Sequence, residues 1–281
     1  MLRTYDSALI IDSQKFNKVV NKLRDFFRNL GFIEVHAQNR LSILAACEDP
    51  FNLKTFDYAG QLWPLPQTSQ MWLEYEILKN PDVPGYFSVS TSYRSEPNPV
   101  PGRHDLIFPM FEFECKGDMD DLVRIQKDLL THLGYTCDFY ENDYTAIAEE
   151  FGVTELEHEH EEKLYTDKSP VAFIKNFPEF TSPFWNMKRN TENDTGKKVD
   201  VILSGMETFG SAERECDVNI MRNRFENIMD GDYRKKLIQL FGEERVESEL
   251  KEYFELSFIP RVGTGIGITR LIKSMEKEGL L

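Results

Sequence analysis

The sequence predicts an α+β fold built on a mostly antiparallel sheet. Three observations point there. Two runs rich in β-formers and aromatics, Tyr86 to Tyr93 and Leu106 to Glu114, lie close together in the chain. A short turn signal, Ser204-Gly205, separates two further strand-like runs. Helical spacing of apolar residues recurs between these runs, but hairpin-type links outnumber strand–helix–strand alternation.

The elements follow in order. Asp12 or Ser13 caps a first helix carrying Phe16, Val19, Val20, Leu23, Phe26, Phe27 and Leu30, and Gly31 stops it. An extended piece, Phe32 to Val35, comes next. Residues 47–66, with Pro50, Gly60, Pro64 and Pro66, read as loop. A short helix starts near Thr68 or Ser69 and presents Met71, Trp72, Tyr75 and Leu78. The two aromatic strands then flank a loop holding three prolines and a glycine. Asp118 caps another helix, with Leu122, Ile125, Leu129, Leu130 and Leu133 on one face and Gly134 at its end. The segment 139–198 is acidic around Glu149 to Glu162 and polar around Lys188 to Lys198, and reads as an inserted subdomain or connection. Val199 to Leu203 and Met206 to Ser211 form a hairpin. Charged helices fill 217–256, and a glycine-spaced run, Gly263, Gly265 and Gly267, opens a last helix.

At 281 residues the chain suits one large domain, or one domain with an insertion. Hydrophobic residues at 41% and charged residues at 29% exclude a disordered or fibrous chain. The net charge of −15, with no long Lys/Arg run, argues against a general nucleic-acid binder. There is no apolar stretch of transmembrane length, and Met1 to Ile10 lacks the pattern of a secretion signal. Cys47, Cys115, Cys137 and Cys216 are far apart, so neither a disulfide framework nor a zinc site is expected. A reduced cytoplasmic protein fits.

Three clusters carry chemistry. Alternation puts Ser90, Ser92, Arg94 and Glu96 on one strand face, and Phe108, Met110, Glu112 and Glu114 on a face of the partner. Such a face is either solvated or the floor of a polar pocket with Arg94 as an anion clamp. Arg103-His104 in the intervening loop adds two phosphate donors. In the hairpin, a two-residue turn sets Leu203 opposite Met206, Ile202 opposite Glu207 and Asp200 opposite Phe209. Asp200 and Glu207 then share a face as diagonal neighbours, roughly 7–8 Å apart at Cα. Two carboxylates at that reach can hold Mg²⁺ with phosphate oxygens, although two ordinary exposed acids fit the same pattern. Finally, Gly263 to Leu271 combines close backbone approach with the positive end of a helix and Arg270 in its first turn. It is not the dinucleotide fingerprint. His158 and His160 sit among Glu157, Glu159, Glu161 and Glu162, and read as a solvated acidic face rather than a metal site.

In this order and spacing the clusters resemble the catalytic core of class II aminoacyl-tRNA synthetases, in the asparaginyl/aspartyl branch. Tyr93-Arg94-Ser95-Glu96, Arg103-His104 and the strand Phe108 to Glu114 look like motif 2. Gly263 to Leu271 looks like motif 3, Asp200 to Arg214 like the segment between, and the helix of 12–30 with Phe32 to Val35 like motif 1. The resemblance spans about residues 10–275. It implies a class II synthetase-type antiparallel sheet flanked by helices, with residues 1–281 as one catalytic domain and 139–198 as its small acidic insertion. It implies ATP and Mg²⁺ as cofactors and an aminoacyl adenylate as product. Arg94 and Arg270 would be catalytic. ATP would be held by Arg94, Glu96, Arg103, His104, Phe108, Glu207, Gly265, Gly267 and Arg270, with Phe108 stacking on adenine. Asp200 and Glu207 would bind the metal. The amino acid would meet Glu48, Gln70, Glu74, Ser211 and Arg214. Gln70 and Glu74 occupy places of the asparaginyl branch, while the aspartyl branch would want a lysine where Leu73 stands.

Three departures stand out: Ala37 in place of the motif 1 proline, Ile107 in place of a glutamate after Arg-His, and Thr269 in place of the acid before Arg270. The anticodon-binding barrel of this branch has no counterpart in the sequence. The expected activity is therefore ATP- and Mg²⁺-dependent activation of aspartate or asparagine with transfer to a non-tRNA acceptor, foremost ammonia, in a homodimer that does not charge tRNA unaided. The alternatives are a minimal asparagine/aspartate–tRNA ligase and a catalytically silent amino-acid- or nucleotide-binding regulatory homologue.

Overall fold

The computed structural model describes residues 11–38, 40–44, 48–97, 99–100, 102–181 and 184–281. Met1 to Ile10 and Cys47 lie outside them. The frame is an eight-stranded sheet whose strands are β1 (Ile33–Glu34), β4 (Gly85–Tyr93), β5 (Ile107–Lys116), β10 (Arg261–Gly267), β9 (Met206–Glu213), β8 (Gly196–Leu203), β7 (Val171–Phe177) and β6 (Tyr140–Asp143), in that spatial order. The edge pairs β1–β4 and β6–β7 are parallel. The five pairs between them are antiparallel. The expected α+β class with a mostly antiparallel sheet is the one observed.

One sheet face is apolar. Phe87, Phe111, Phe113, Val201, Phe209, Val262 and Ile266 alternate onto it and are buried under helices α1 (Ser13–Asn29), α3 (Met119–Leu133) and α9 (Ile268–Lys277). Asp12 caps α1 through its side chain, and Asp118 closes a capping box on α3, which ends at Gly134 with φ of 112°. The other face carries the polar alternates. Helix α2 (Gln70–Lys79) covers β4 and β5 there. Residues of α6 (Val218–Asn227), α7 (Asp232–Phe241) and α8 (Glu243–Phe254) join α2 in a second core around Trp185 and Tyr253.

Three expectations need revision. Residues 47–66 are not all loop: β2 (Thr55–Tyr58) and β3 (Gln61–Pro64) pair as a hairpin. Its turn, Ala59-Gly60, has φ of 52° and 75°. Ala at the first left-handed position hides the usual Asn-Gly signal. The segment 139–198 is continuous with the central sheet, to which it contributes β6 and β7. Its acidic helices, α4 (Tyr144–Phe151) and α5 (His158–Asp167), close a third apolar cluster with Ala172, Ile174, Phe177 and Ile202. His160 is not on a solvated face: it is buried, stacks on Phe151 at 5.7 Å and accepts the Glu157 N–H at Nδ1.

Candidate active site

The hairpin of β8 and β9 has the expected closing pairs, Leu203 with Met206 and Ile202 with Glu207. Beyond them a bulge between Val201 and Ile202 shifts the register, so Asp200 faces Gly210 and Val201 faces Phe209. An unbroken register would have put Phe209 on the polar face beside Asp200. The extra residue, Thr208, sends Phe209 into the core and leaves Gly210 under the carboxylates. A Cβ on Gly210 would stand 3.4 Å from Glu207 Oε1 and 3.9 Å from Asp200 Oδ1. The two acids thus converge over a bare stretch of backbone.

Register explains the glycines of β10 in the same way. Gly263 lies opposite Glu114, Gly265 opposite Glu112 and Gly210, and Gly267 opposite Met110. A Cβ on Gly263 would sit 1.6 Å from Glu114 Oε2, and one on Gly265 would press on Met110 at 2.9 Å. The run expected to open a helix is therefore a central strand first, and α9 starts only at Ile268. The missing side chains leave space for neighbouring ones and for a cavity of about 230 Å³.

Arg94, Glu96, Arg103, His104, Phe108, Glu207, Gly265, Gly267 and Arg270 all line that cavity. Gln70, Ser211 and Arg214 line it as well, with Phe184 and Lys198. His104 Nδ1 lies 2.7 Å from a Glu96 carboxylate oxygen. Arg270 donates to the carbonyl oxygens of Glu207 and Arg103, which ties α9 to the β4–β5 loop and to the hairpin. Arg103 reaches further, to the Gly205 carbonyl and to Glu161 of α5.

Buried charge supports part of this lining. Arg214 donates to Gln70 Oε1 at 2.6 Å and to both oxygens of Glu114 at 3.1 Å. Its Nη1 is buried with no hydrogen-bond partner. Burial pushes the Glu114 carboxyl upward against the pull of Arg214. Burial also acts to raise Glu74, but Arg261, Arg214 and the Tyr253 hydroxyl outweigh it and hold that carboxyl low. Burial lifts the Asp200 carboxyl to about 7; Lys198 opposes the rise, and the charges of Glu207 and Glu161 add to it.

Three sequence-expected residues lie off the cavity wall. Glu74 is fully buried behind it, bound by Arg261, Tyr253 and Asn186. Glu48 lines a smaller neighbouring cavity with Thr68, Met71 and Trp72. Asp200 is 6% exposed, beneath the wall. Ser211 borders the cavity, yet its hydroxyl is held by Gln126 of α3 on the helix-covered face. Sequence reading missed Lys198, although strand alternation from Asp200 places it on the same face. It also missed the role of Glu112, whose carboxylate takes the hydroxyls of Thr68, Ser69 and Ser90 and the Ser69 N–H. The bonds from Thr68 and Ser69 fix the start of α2, and with it Gln70. Among the described residues no group of three His, Cys, Asp or Glu side chains is arranged to hold a metal by itself.

A mixed sheet of this order, helices on its apolar face and a charged cavity on the other, is the class II synthetase catalytic fold. The family model for tRNA synthetases class II (D, K and N) matches residues 3–279, and the chain belongs to that family. Asparaginyl-tRNA synthetase from Pyrococcus horikoshii, complexed with asparaginyl-adenylate, superposes with a TM-score of 0.76 at 19% identity, over 94% of this chain and 64% of that one. The Entamoeba histolytica enzyme in complex with asparaginyl-adenylate gives 0.74 at 18% identity, over 94% and 63%. The aspartate–tRNA(Asp/Asn) ligase of Methanopyrus kandleri is 23% identical over 92% of this chain and 63% of its own length. The asparagine–tRNA ligase of Mycoplasma genitalium is 38% identical over 82 residues, 17% of its length. This chain spans less than two thirds of each of these relatives.

Proposed function

We propose that the cavity joins ATP to aspartate or asparagine as an aminoacyl adenylate, and that the acceptor of the activated acyl group is ammonia. The observation that carries the reading is Arg214 Nη1. It is a buried cationic donor without a partner in the wall of the cavity, and such a group calls for an acceptor oxygen from a ligand. An amino acid with a short carboxylate or amide arm supplies one. Gln70 and Glu114 fix the guanidinium plane on its other edges.

From that anchor the ligand extends toward Arg94, and beyond it toward Arg103, His104 and Arg270. These side chains suit the α-phosphate and the outer phosphates in turn. Glu96 and Phe108 flank the place for adenine. A carboxylate oxygen attacks the α-phosphorus, the bond to pyrophosphate breaks, and Arg94 stabilises charge gathering on the phosphoryl oxygens. The donor set fits Mg²⁺: Asp200 Oδ1 is buried without a partner and converges with Glu207 over Gly210. Bound there, Mg²⁺ would supply positive charge to the triphosphate.

Ammonia then attacks the adenylate carbonyl and AMP leaves. To yield asparagine, aspartate must react through its side-chain carboxylate, so Arg214 would receive the α-carboxylate instead. The net charge of −15 favours a small acceptor over a polyanion. The names of the relatives favour the second reading, a tRNA ligase. Labelled aspartate with ATP, Mg²⁺ and either ammonium or total tRNA separates the two. Asparagine formed with ammonium is the expected result. Acid-precipitable charging of tRNA at physiological salt, with no amide formed, overturns it.

The exposed side chains of Leu30 and Ile33, 43% and 46% accessible, border the end of α1 and β1. We expect a homodimer through this region, with light scattering giving about twice the chain mass; a monomer at working concentration would refute it. We place the protein in the cytoplasm. No helix among the described residues is long and apolar enough to cross a membrane, and Cys115, Cys137 and Cys216 are free thiols.

A further inference from the structure

Lys198 stands two residues before Asp200 on β8, and strand alternation brings both side chains to the cavity face. Its ammonium lies 2.6 Å from Asp200 Oδ2. The face of the Phe177 ring, 4.1 Å from the ammonium to the centroid, backs it on another side. Asp200 therefore has two unlike edges. Oδ2 already holds a cation, whereas Oδ1 is buried without a hydrogen-bond partner and shares the space above Gly210 with Glu207 Oε1, 3.9 and 3.4 Å respectively from where a Cβ there would stand.

We propose that Lys198 is a resident cation of the Asp200–Glu207 pair, leaving only Oδ1 and Glu207 to a divalent ion and weakening that ion's binding. Two physical effects act together. An ammonium on Oδ2 blocks chelation through both oxygens of Asp200, and its charge repels a second cation on the same carboxylate. In return, a buried carboxylate keeps a counter-ion whenever nucleotide and metal are absent, which avoids the cost of an uncompensated buried charge. The contacts with Phe177 and Asp200 would keep the lysine in place when a metal is bound. With only Oδ1 and Glu207 on offer, phosphate oxygens of a bound nucleotide would be needed to hold the ion, so its retention would depend strongly on nucleotide.

The inference rests on the metal assignment made above, and one experiment distinguishes the two. Mn²⁺ binding to the full chain is followed by electron paramagnetic resonance of the free ion, with a non-hydrolysable ATP analogue present. Lys198→Met and Lys198→Gln should both bind Mn²⁺ about tenfold more tightly than the unaltered chain, and Asp200→Asn should lose the site. Circular dichroism melts confirm that each variant is folded. Unchanged or weaker Mn²⁺ binding in both lysine variants, with loss in Asp200→Asn, overturns the role of Lys198 and leaves the metal site standing. Full Mn²⁺ binding in Asp200→Asn overturns both.

Discussion

Arg94→Ala should lower amino-acid-dependent pyrophosphate exchange by about 10²–10³-fold while the melting curve stays in place. The backbone argues for the second half. The Arg94 N–H donates to the Leu106 carbonyl at 2.8 Å, and the Tyr93 N–H to the Pro66 carbonyl at 2.8 Å. Alanine keeps both bonds, so the end of β4 and the start of the loop hold their course. The side chain argues for the first half. It lines the same cavity as Arg214, Arg103, His104 and Arg270. In the proposed reaction this charge would meet the phosphorus under attack, where negative charge gathers in the transition state and less so in the ground state. Near-normal exchange in a folded variant would remove Arg94 from the chemistry and with it the proposed orientation of both substrates.

Arg261→Met should cost about 3–5 kcal/mol of folding stability, read as a shift of the urea unfolding midpoint at constant slope. Arg261 is fully buried. It donates to Glu74 Oε2 at 2.6 and 3.1 Å, to the Tyr253 hydroxyl at 2.8 Å and to the Glu215 carbonyl at 3.2 Å. Removing it leaves a carboxylate in the core with Tyr253 and Asn186 as its close donors, since the nearest Arg214 nitrogen is 3.6 Å away. The double variant Arg261→Met, Glu74→Leu should regain much of the loss, because no charge is then stranded. A single-variant loss below about 1 kcal/mol would mean that Glu74 is neutral in the folded chain. The same network ties stability to the cavity. Glu74 fixes the middle of α2, and Gln70 at its start receives the Arg214 hydrogen bond that aims the guanidinium.

Most of the cavity was legible because its parts lie on strands and at turns, where spacing alone decides the face. Arg94, Phe108, Arg270 and Glu207 follow from alternation, a two-residue turn and a glycine-spaced run. Gln70 was legible and Glu74 only half so. Their i, i+4 spacing puts them on one helix face, but it cannot say that Gln70 meets the cavity while Glu74 is sealed behind it. That difference comes from Arg261, Tyr253 and Asn186, which arrive from distant parts of the chain. Ser211 was half legible for a related reason: it borders the cavity, but its hydroxyl turns to Gln126 on the far face.

The sequence by itself determined the class of the fold, the order of its elements and the polar strand faces, since these depend on periods of two and 3.6 residues and on local caps and turns. Tertiary structure alone decided three things. It placed a bulge at Thr208, because Phe209 had to enter the core while Gly210 passed beneath two carboxylates. It set Gly263 against Glu114 and so admitted the Arg214 pair. And it set Lys198 on Asp200, on a strand that β7 and β9 hold in register. Each depends on which strands become neighbours across long stretches of chain, and that choice is made by burying the apolar faces of the whole sheet at once.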